Sequence, residues 1–234
     1  MRSGLRGRVF LAWALVGSLA AGAVPLRATA SEERAVHDAF TSLVAALAAR
    51  DGDATWAHLS GATRVEWARD CEVALHGNVD TVQALPPGPR LLVLALRHGA
   101  PAWARTSGTP RELADRAVHA GLVDGRAAHA VDLADVAVQG DRASGVLFVS
   151  GLPSPFRAAF VREDAAWKLD LPGTLALAGR VLTRAARSNG TDESAVIVNL
   201  LAAVSGRPVG VEAWRPLVPA ARAAPHLQAG KPSR

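Results

Sequence analysis

The sequence predicts an α+β domain in which helices come first and an antiparallel sheet follows. Three observations carry this expectation. Apolar residues recur at helical spacing through residues 36–47. Four short runs rich in Val, Phe and Leu then occupy residues 131–171, separated by turn residues. Two more helical patterns lie between Pro172 and Gly206.

Residues 1–30 have the three parts of a secretory signal peptide. Arg2, Arg6 and Arg8 form a positive start, residues 9–26 are uncharged and mostly apolar, and Ala28-Thr29-Ala30 offers small residues for cleavage. The mature chain then begins at Ser31 and is exported to the periplasm or the extracellular space. A retained membrane anchor is the competing reading, because the apolar run approaches the length of a span. Pro25 and the small-residue site favour cleavage. Gly7 separates Arg6 from Arg8, which breaks a twin-arginine pattern, and no Cys at the cleavage point offers a lipid attachment.

The signal also dominates the charge. The chain has 26 basic and 21 acidic residues. Residues 1–30 hold four Arg and no acid, and Arg222, Lys231 and Arg234 close the chain, so residues 31–218 carry 19 basic against 21 acidic side chains. A basic footprint for nucleic acid is absent from that part. Cys71 is the single cysteine, which excludes an intramolecular disulfide. Its expected role is that of a small buried apolar side chain.

In the first helix Val36, Phe40, Leu43, Val44 and Leu47 share one face, with Ser31, Glu32 and Glu33 at its start. Asp51-Gly52-Asp53 ends it and opens a short second helix with Trp56 and Leu59 on one side. Residues 63–75 predict a third, with Val65 or Trp67, Cys71 and Leu75 inward. Leu85-Pro86-Pro87-Gly88-Pro89 predicts a break. Residues 90–96 fit a helix slightly better than a strand. Thr109-Pro110-Arg111-Glu112 forms a helix start, with Gly121 as its stop.

Strands are expected at 131–138, 142–149, 156–162 and 166–171. Gly140-Asp141, Pro153-Ser154-Pro155 and Glu163-Asp164 separate them. Trp167, Leu169 and Leu171 alternate with Lys168 and Asp170, which predicts one buried face. Pro172-Gly173 ends the sheet. Leu175, Leu177, Val181 and Leu182 predict a helix to about Arg187, and Thr191 or Asp192 caps another that stops at Gly206. The tail at 216–234 is rich in Pro and Ala and is expected to be disordered.

Val136-Ala137-Val138-Gln139-Gly140-Asp141-Arg142-Ala143 is followed by Phe160-Val161-Arg162-Glu163-Asp164-Ala165-Ala166-Trp167-Lys168-Leu169-Asp170-Leu171. This pair of stretches resembles the strand pattern of secreted NTF2-like (SnoaL-like, cystatin-like) domains, with Ala165 where that pattern usually has Gly. The resemblance covers about 40 residues. It implies a curved sheet that wraps the N-terminal helices into a cone, with a ligand pocket at its mouth. The implied organisation is a signal peptide at 1–30, an NTF2-like domain at 31–171, a C-terminal helical extension at 172–215 and the tail at 216–234.

Some relatives of that fold are isomerases, dehydratases or hydrolases that use Asp or His in the cone. The present chain has no Tyr, so an oxyanion site built on tyrosine is excluded. Asp132, Asp135 and Asp170 are the carboxylates nearest the expected sheet. Asp132 stands between Val131 and Leu133 and should face away from what they bury. Asp170 is expected to be exposed or paired with an Arg. The pocket candidates are therefore Trp56, Trp67, His37, His58 and Asp132, with core filling as the alternative for each Trp. The remaining histidines show no ligand spacing, and Cys71 has no thiol companion, so neither metal nor cofactor is expected. Phosphate-binding glycine patterns and nucleophile elbows are absent. These observations point to an exported, non-catalytic domain that binds a small molecule or a protein partner. An NTF2-like enzyme with an Asp or His in the cone is the alternative.

Overall fold

The computed structural model describes residues 30–99, 111–112 and 130–218. The expected signal peptide, the expected helix start at Thr109, Trp103 and most of the expected tail lie outside the described residues. The described chain is an α+β arrangement of helices and one open, four-stranded antiparallel sheet. Its elements are α1 (Ala30–Ala49), α2 (Gly52–Ala57), α3 (Gly61–His76), α4 (Val79–Ala84), α5 (Pro87–Gly99), β1 (Val131–Gln139), β2 (Arg142–Val149), β3 (Leu152–Glu163), β4 (Ala166–Leu169), α6 (Leu171–Asn189) and α7 (Glu193–Ser205), followed by a 3-10 turn at Val211–Trp214.

Sheet order follows chain order, β1-β2-β3-β4, with a tight turn at each reversal. Gly140 alone has positive φ in the first turn, between the paired Gln139 and Arg142. The second turn is Ser150-Gly151, both at positive φ, and not the Pro-Ser-Pro stretch. Pro153 and Pro155 instead lie inside β3. Leu152 closes the hairpin with Val149 and Pro153 pairs with Phe148, so strand alternation turns the Pro153 nitrogen to the opposite edge, while Pro155 sits in an irregularity where residues 154–156 face Leu147 alone. β4 pairs only with residues 160–163 and leaves that edge unpaired at the prolines. The third turn centres on Asp164 and Ala165, one residue later than the expected Glu163-Asp164.

β1 holds a bulge that the sequence did not reveal. Ala134 pairs with Val146 and Ala137 with Ser144, so Asp135 and Val136 face the single residue Gly145. Leu133 and Val138 are five residues apart and would face opposite sides of a regular strand. The extra residue puts both in the core. Gly145 fits because a Cβ there would stand 2.6 Å from the Leu133 side chain.

Two apolar cores result. In the first, α1 lies across the sheet. Val36 and Phe40 pack on Leu133, Val138, Ala143, Phe160 and Trp167, and the Phe40 and Phe160 rings meet edge to face at 6.5 Å. Arg162 stacks over Trp167 at 4.6 Å and reaches Glu32 of α1 at 3.0 Å, which ties the helix to the sheet. The second core is helical. Ala74 of α3, Val82 of α4, Val93 and Leu94 of α5, Leu182 of α6, Ile197 of α7 and Ala213 share it. Residues read as a C-terminal extension thus close a core with the early helices, and the first turn of α6 takes over the edge of β3 where β4 ends. There Thr174 Oγ1 accepts from Ala159 N–H at 2.9 Å.

Several boundaries shift for local reasons. α5 begins inside the proline-rich break, because a first-turn residue needs no N–H partner and Pro87 suits that position. α4, which no sequence pattern marked, is capped by Asn78 accepting from Thr81 N–H at 2.8 Å. Val65 is 72 % exposed; α3 turns Thr63, Asp70, Cys71, Ala74 and Leu75 inward instead. Asp170 is buried, and it ends no exposed strand but caps α6, accepting from Gly173 N–H at 3.2 Å with Arg142 3.7 Å away. Ordered chain continues into the expected tail, where Val218 N–H donates to Leu75 O at 2.9 Å. Among the described residues no helix is long and apolar enough to cross a membrane.

Candidate functional site

The five sequence candidates do not converge. His37 and Asp132 do meet, at 3.4 Å between Nε2 and Oδ1, but their side chains are 46 % and 73 % exposed. Asp132 lies on β1, the outer strand of the described sheet, where its Oδ1 also accepts from Leu133 N–H at 2.8 Å. Thr41 Oγ1 shares a 3.5 Å hydrogen bond with His37 Nδ1. Trp56 lies half-buried on α2, under Arg64 at 5.7 Å. His58 follows α2, and its carbonyl accepts from Leu169 N–H at 2.9 Å. Trp67 packs with Cys71 and Leu75 in a small third cluster.

Concave surface appears elsewhere. An open cleft of about 660 Å³ lies where α5 crosses α6, a volume within the usual range of small-molecule sites. Pro86, Pro87 and Pro89 form one wall; Leu175, Ala176 and Pro172 continue the apolar lining. The other wall is cationic: Arg180, Arg184 and Arg187 stand at i, i+4 and i+7 on α6, so one helical face presents all three. Glu66 of α3 is the one acidic side chain on the lining, and Arg69 stands 3.6 Å from it.

The crossing is close because both helices carry glycine there. A Cβ on Gly88 would stand 2.1 Å from Leu175 O, and one on Gly179 would stand 3.3 Å from Gly88 N. Arg90, next in the chain after Pro89 and not on the cleft lining, is committed to the chain: it donates to Leu85 O, Gln83 O and Ser194 Oγ. The α6 arginines differ. All three are exposed, and none forms an ion pair with another described residue.

One turn beyond Glu66, Asp70 is fully buried and neither carboxyl oxygen has a hydrogen-bond partner. Burial first, and then Glu66, push its carboxyl up to about 7, against an opposing pull from Arg69. Burial, with Asp70 adding to it, likewise raises the Cys71 thiol to about 12, so this cysteine stays a thiol at neutral pH. Arg97 of α5 is also buried. It donates to Val73 O, Ala74 O, Gly77 O and Trp214 O at 2.6–2.9 Å, holding the end of α3. Burial lowers its guanidinium to about 10, still charged at neutral pH.

Comparison with family models, with curated proteins and with solved structures finds no match for this chain. The site therefore rests on its own geometry. Among the described residues no group of three His, Cys, Asp or Glu is placed to hold a metal. Sequence reading missed the cleft, although the i, i+4, i+7 arginines were visible. Arginines on the polar face of a helix are ordinarily solvated, and the apolar wall opposite comes from a segment some ninety residues earlier.

Proposed function

We infer that the chain is an exported, non-catalytic domain that binds a small molecule or a protein partner, and that the α5–α6 cleft is where it does so. The cleft itself supports this reading most: it is open, of small-molecule size, and combines an apolar wall with unpaired cations. Export is inferred from the tripartite character of residues 1–30. The NTF2-like relationship belongs to the same reading; it rests on the two hairpin stretches and agrees with α1 lying across one face of the sheet.

The competing reading is an NTF2-like enzyme that uses an Asp or His in a cone. It requires His37, His58, Asp132 or Asp170 in a cavity. None of the four is on the cleft lining, and Asp170 is engaged as a helix cap.

Two measurements test the inference. Mass spectrometry of protein secreted with its native leader should give an N-terminus at Ser31. Native mass spectrometry of that protein should show a bound species that Ala176→Trp, filling the cleft from an exposed position on α6, removes. Retention of the species by a folded Ala176→Trp protein would move the site away from the cleft.

A further inference from the structure

We propose that the cleft takes an amphipathic anion in monomeric form: one carboxylate, phosphate or sulfonate head on an apolar body. This rests on the binding reading above and adds the chemical class of the ligand.

Charge complementarity carries it. Three guanidinium groups face the cleft against a single carboxylate, and that carboxylate has Arg69 3.6 Å away. Arginine without a partner beside an apolar wall is suited to bidentate recognition of a carboxylate or phosphate. Arg90, which follows the proline wall in the chain, does not join them: it is engaged by Leu85 O, Gln83 O and Ser194 Oγ.

Backbone donors contribute little here. α5 opens onto the cleft with its N-terminus, but Pro87 and Pro89 carry no N–H, so its first turn lacks the row of amides that a phosphate-binding helix supplies. An anion held in this cleft must be held by side chains. The prolines offer the other half of the ligand an apolar side-chain surface.

The shape separates head from body. Arg180, Arg184 and Arg187 line up along α6 over two turns, so a ligand can lie along the helix with its head on the arginines and its body against the Pro86–Pro89 wall. A fully ionic ligand would leave that wall unused, and a fully apolar one would leave three charges unanswered.

The test is calorimetric titration of the mature chain with dodecanoate below its micelle-forming concentration. Dodecyltrimethylammonium, with the same tail and the opposite charge, is the control. Saturable one-to-one binding of dodecanoate is expected, weakened at least about tenfold when Arg180, Arg184 and Arg187 are all changed to Gln, and weakened by high salt. These arginines are exposed, so the triple variant should keep the wild-type circular dichroism; Arg184→Lys should bind better than Arg184→Gln. Equal binding of both amphiphiles, or undiminished dodecanoate binding by the folded triple variant, would overturn the proposal. So would sedimentation with phosphatidylglycerol vesicles in place of monomer binding. If dodecanoate fails while Ala176→Trp still removes a co-purified species, the ligand class is wrong and the binding reading stands. If both fail, the cleft is not the site.

Discussion

Gly88 and Leu175 stand so close that a methyl group on Gly88 would come within 2.1 Å of the Leu175 carbonyl oxygen. The obstacle is backbone, which cannot swing aside as a side chain does. Gly88→Ala is expected to force α5 away from α6 and to cost about 2–4 kcal/mol. Gly179→Ala, with 3.3 Å to the nearest atom, should cost less. Urea unfolding of both variants checks the order. Equal, small effects would show that the helices separate easily.

Asp70 gives stability a pH dependence whose sign follows from its raised pKa, about 7 in the folded chain against 3.8 as the ordinary value. Below pH 4 both states hold the proton, and the contribution of the neutral carboxyl is fully present. Between pH 4 and 7 the unfolded chain has lost its proton and the folded chain has not, so stability falls as pH rises and levels above pH 7. Asp70→Asn cannot ionise. Its stability relative to wild type should therefore rise across that window, by on the order of 4 kcal/mol if the shift is realised in full. Parallel urea midpoints from pH 4 to 8 would show that the carboxyl titrates normally.

Ala165 occupies a left-handed conformation, φ 62, in the β3–β4 turn, next to Asp164 at φ 52. Two-residue turns of this kind favour glycine at the second position. Ala165→Gly removes the Cβ strain, which exceeds the extra chain entropy glycine loses on folding. A stabilisation of about 0.5–1 kcal/mol is expected by thermal or urea unfolding. A destabilised variant would contradict the turn geometry.

Arg97 satisfies four carbonyls at one buried point. Arg97→Met keeps the stem and strands those oxygens, at a cost of about 3 kcal/mol or more. Arg97→Lys should rescue only part of that, because an ammonium cannot span the same set of acceptors. Full rescue by Lys would mean that charge matters there more than the planar fork.

What the sequence made legible was local. Asp51 and Asp192 cap helices with their own side chains. Gly206 ends α7 in the left-handed region, and Gly140-Asp141 reverses β1 into β2. Each of these needs only neighbours within a few residues. The misread Pro-Ser-Pro segment shows the limit: proline punctuates a chain unless it lies on an open sheet edge, and only the pairing partners reveal that edge.

By itself, the sequence determined the class of the long periodic segments and the helices-then-sheet order, because hydrophobic period and capping chemistry act on the chain where they stand. Tertiary structure alone decided that His37 and Asp132 pair at an outer edge, that Asp70 is buried, and that the proline wall of α5 faces the arginines of α6. Those relationships join segments far apart in the chain. They are set by how two cores pack around Gly88, Gly179 and the bulge at Asp135, and no local pattern encodes such a crossing.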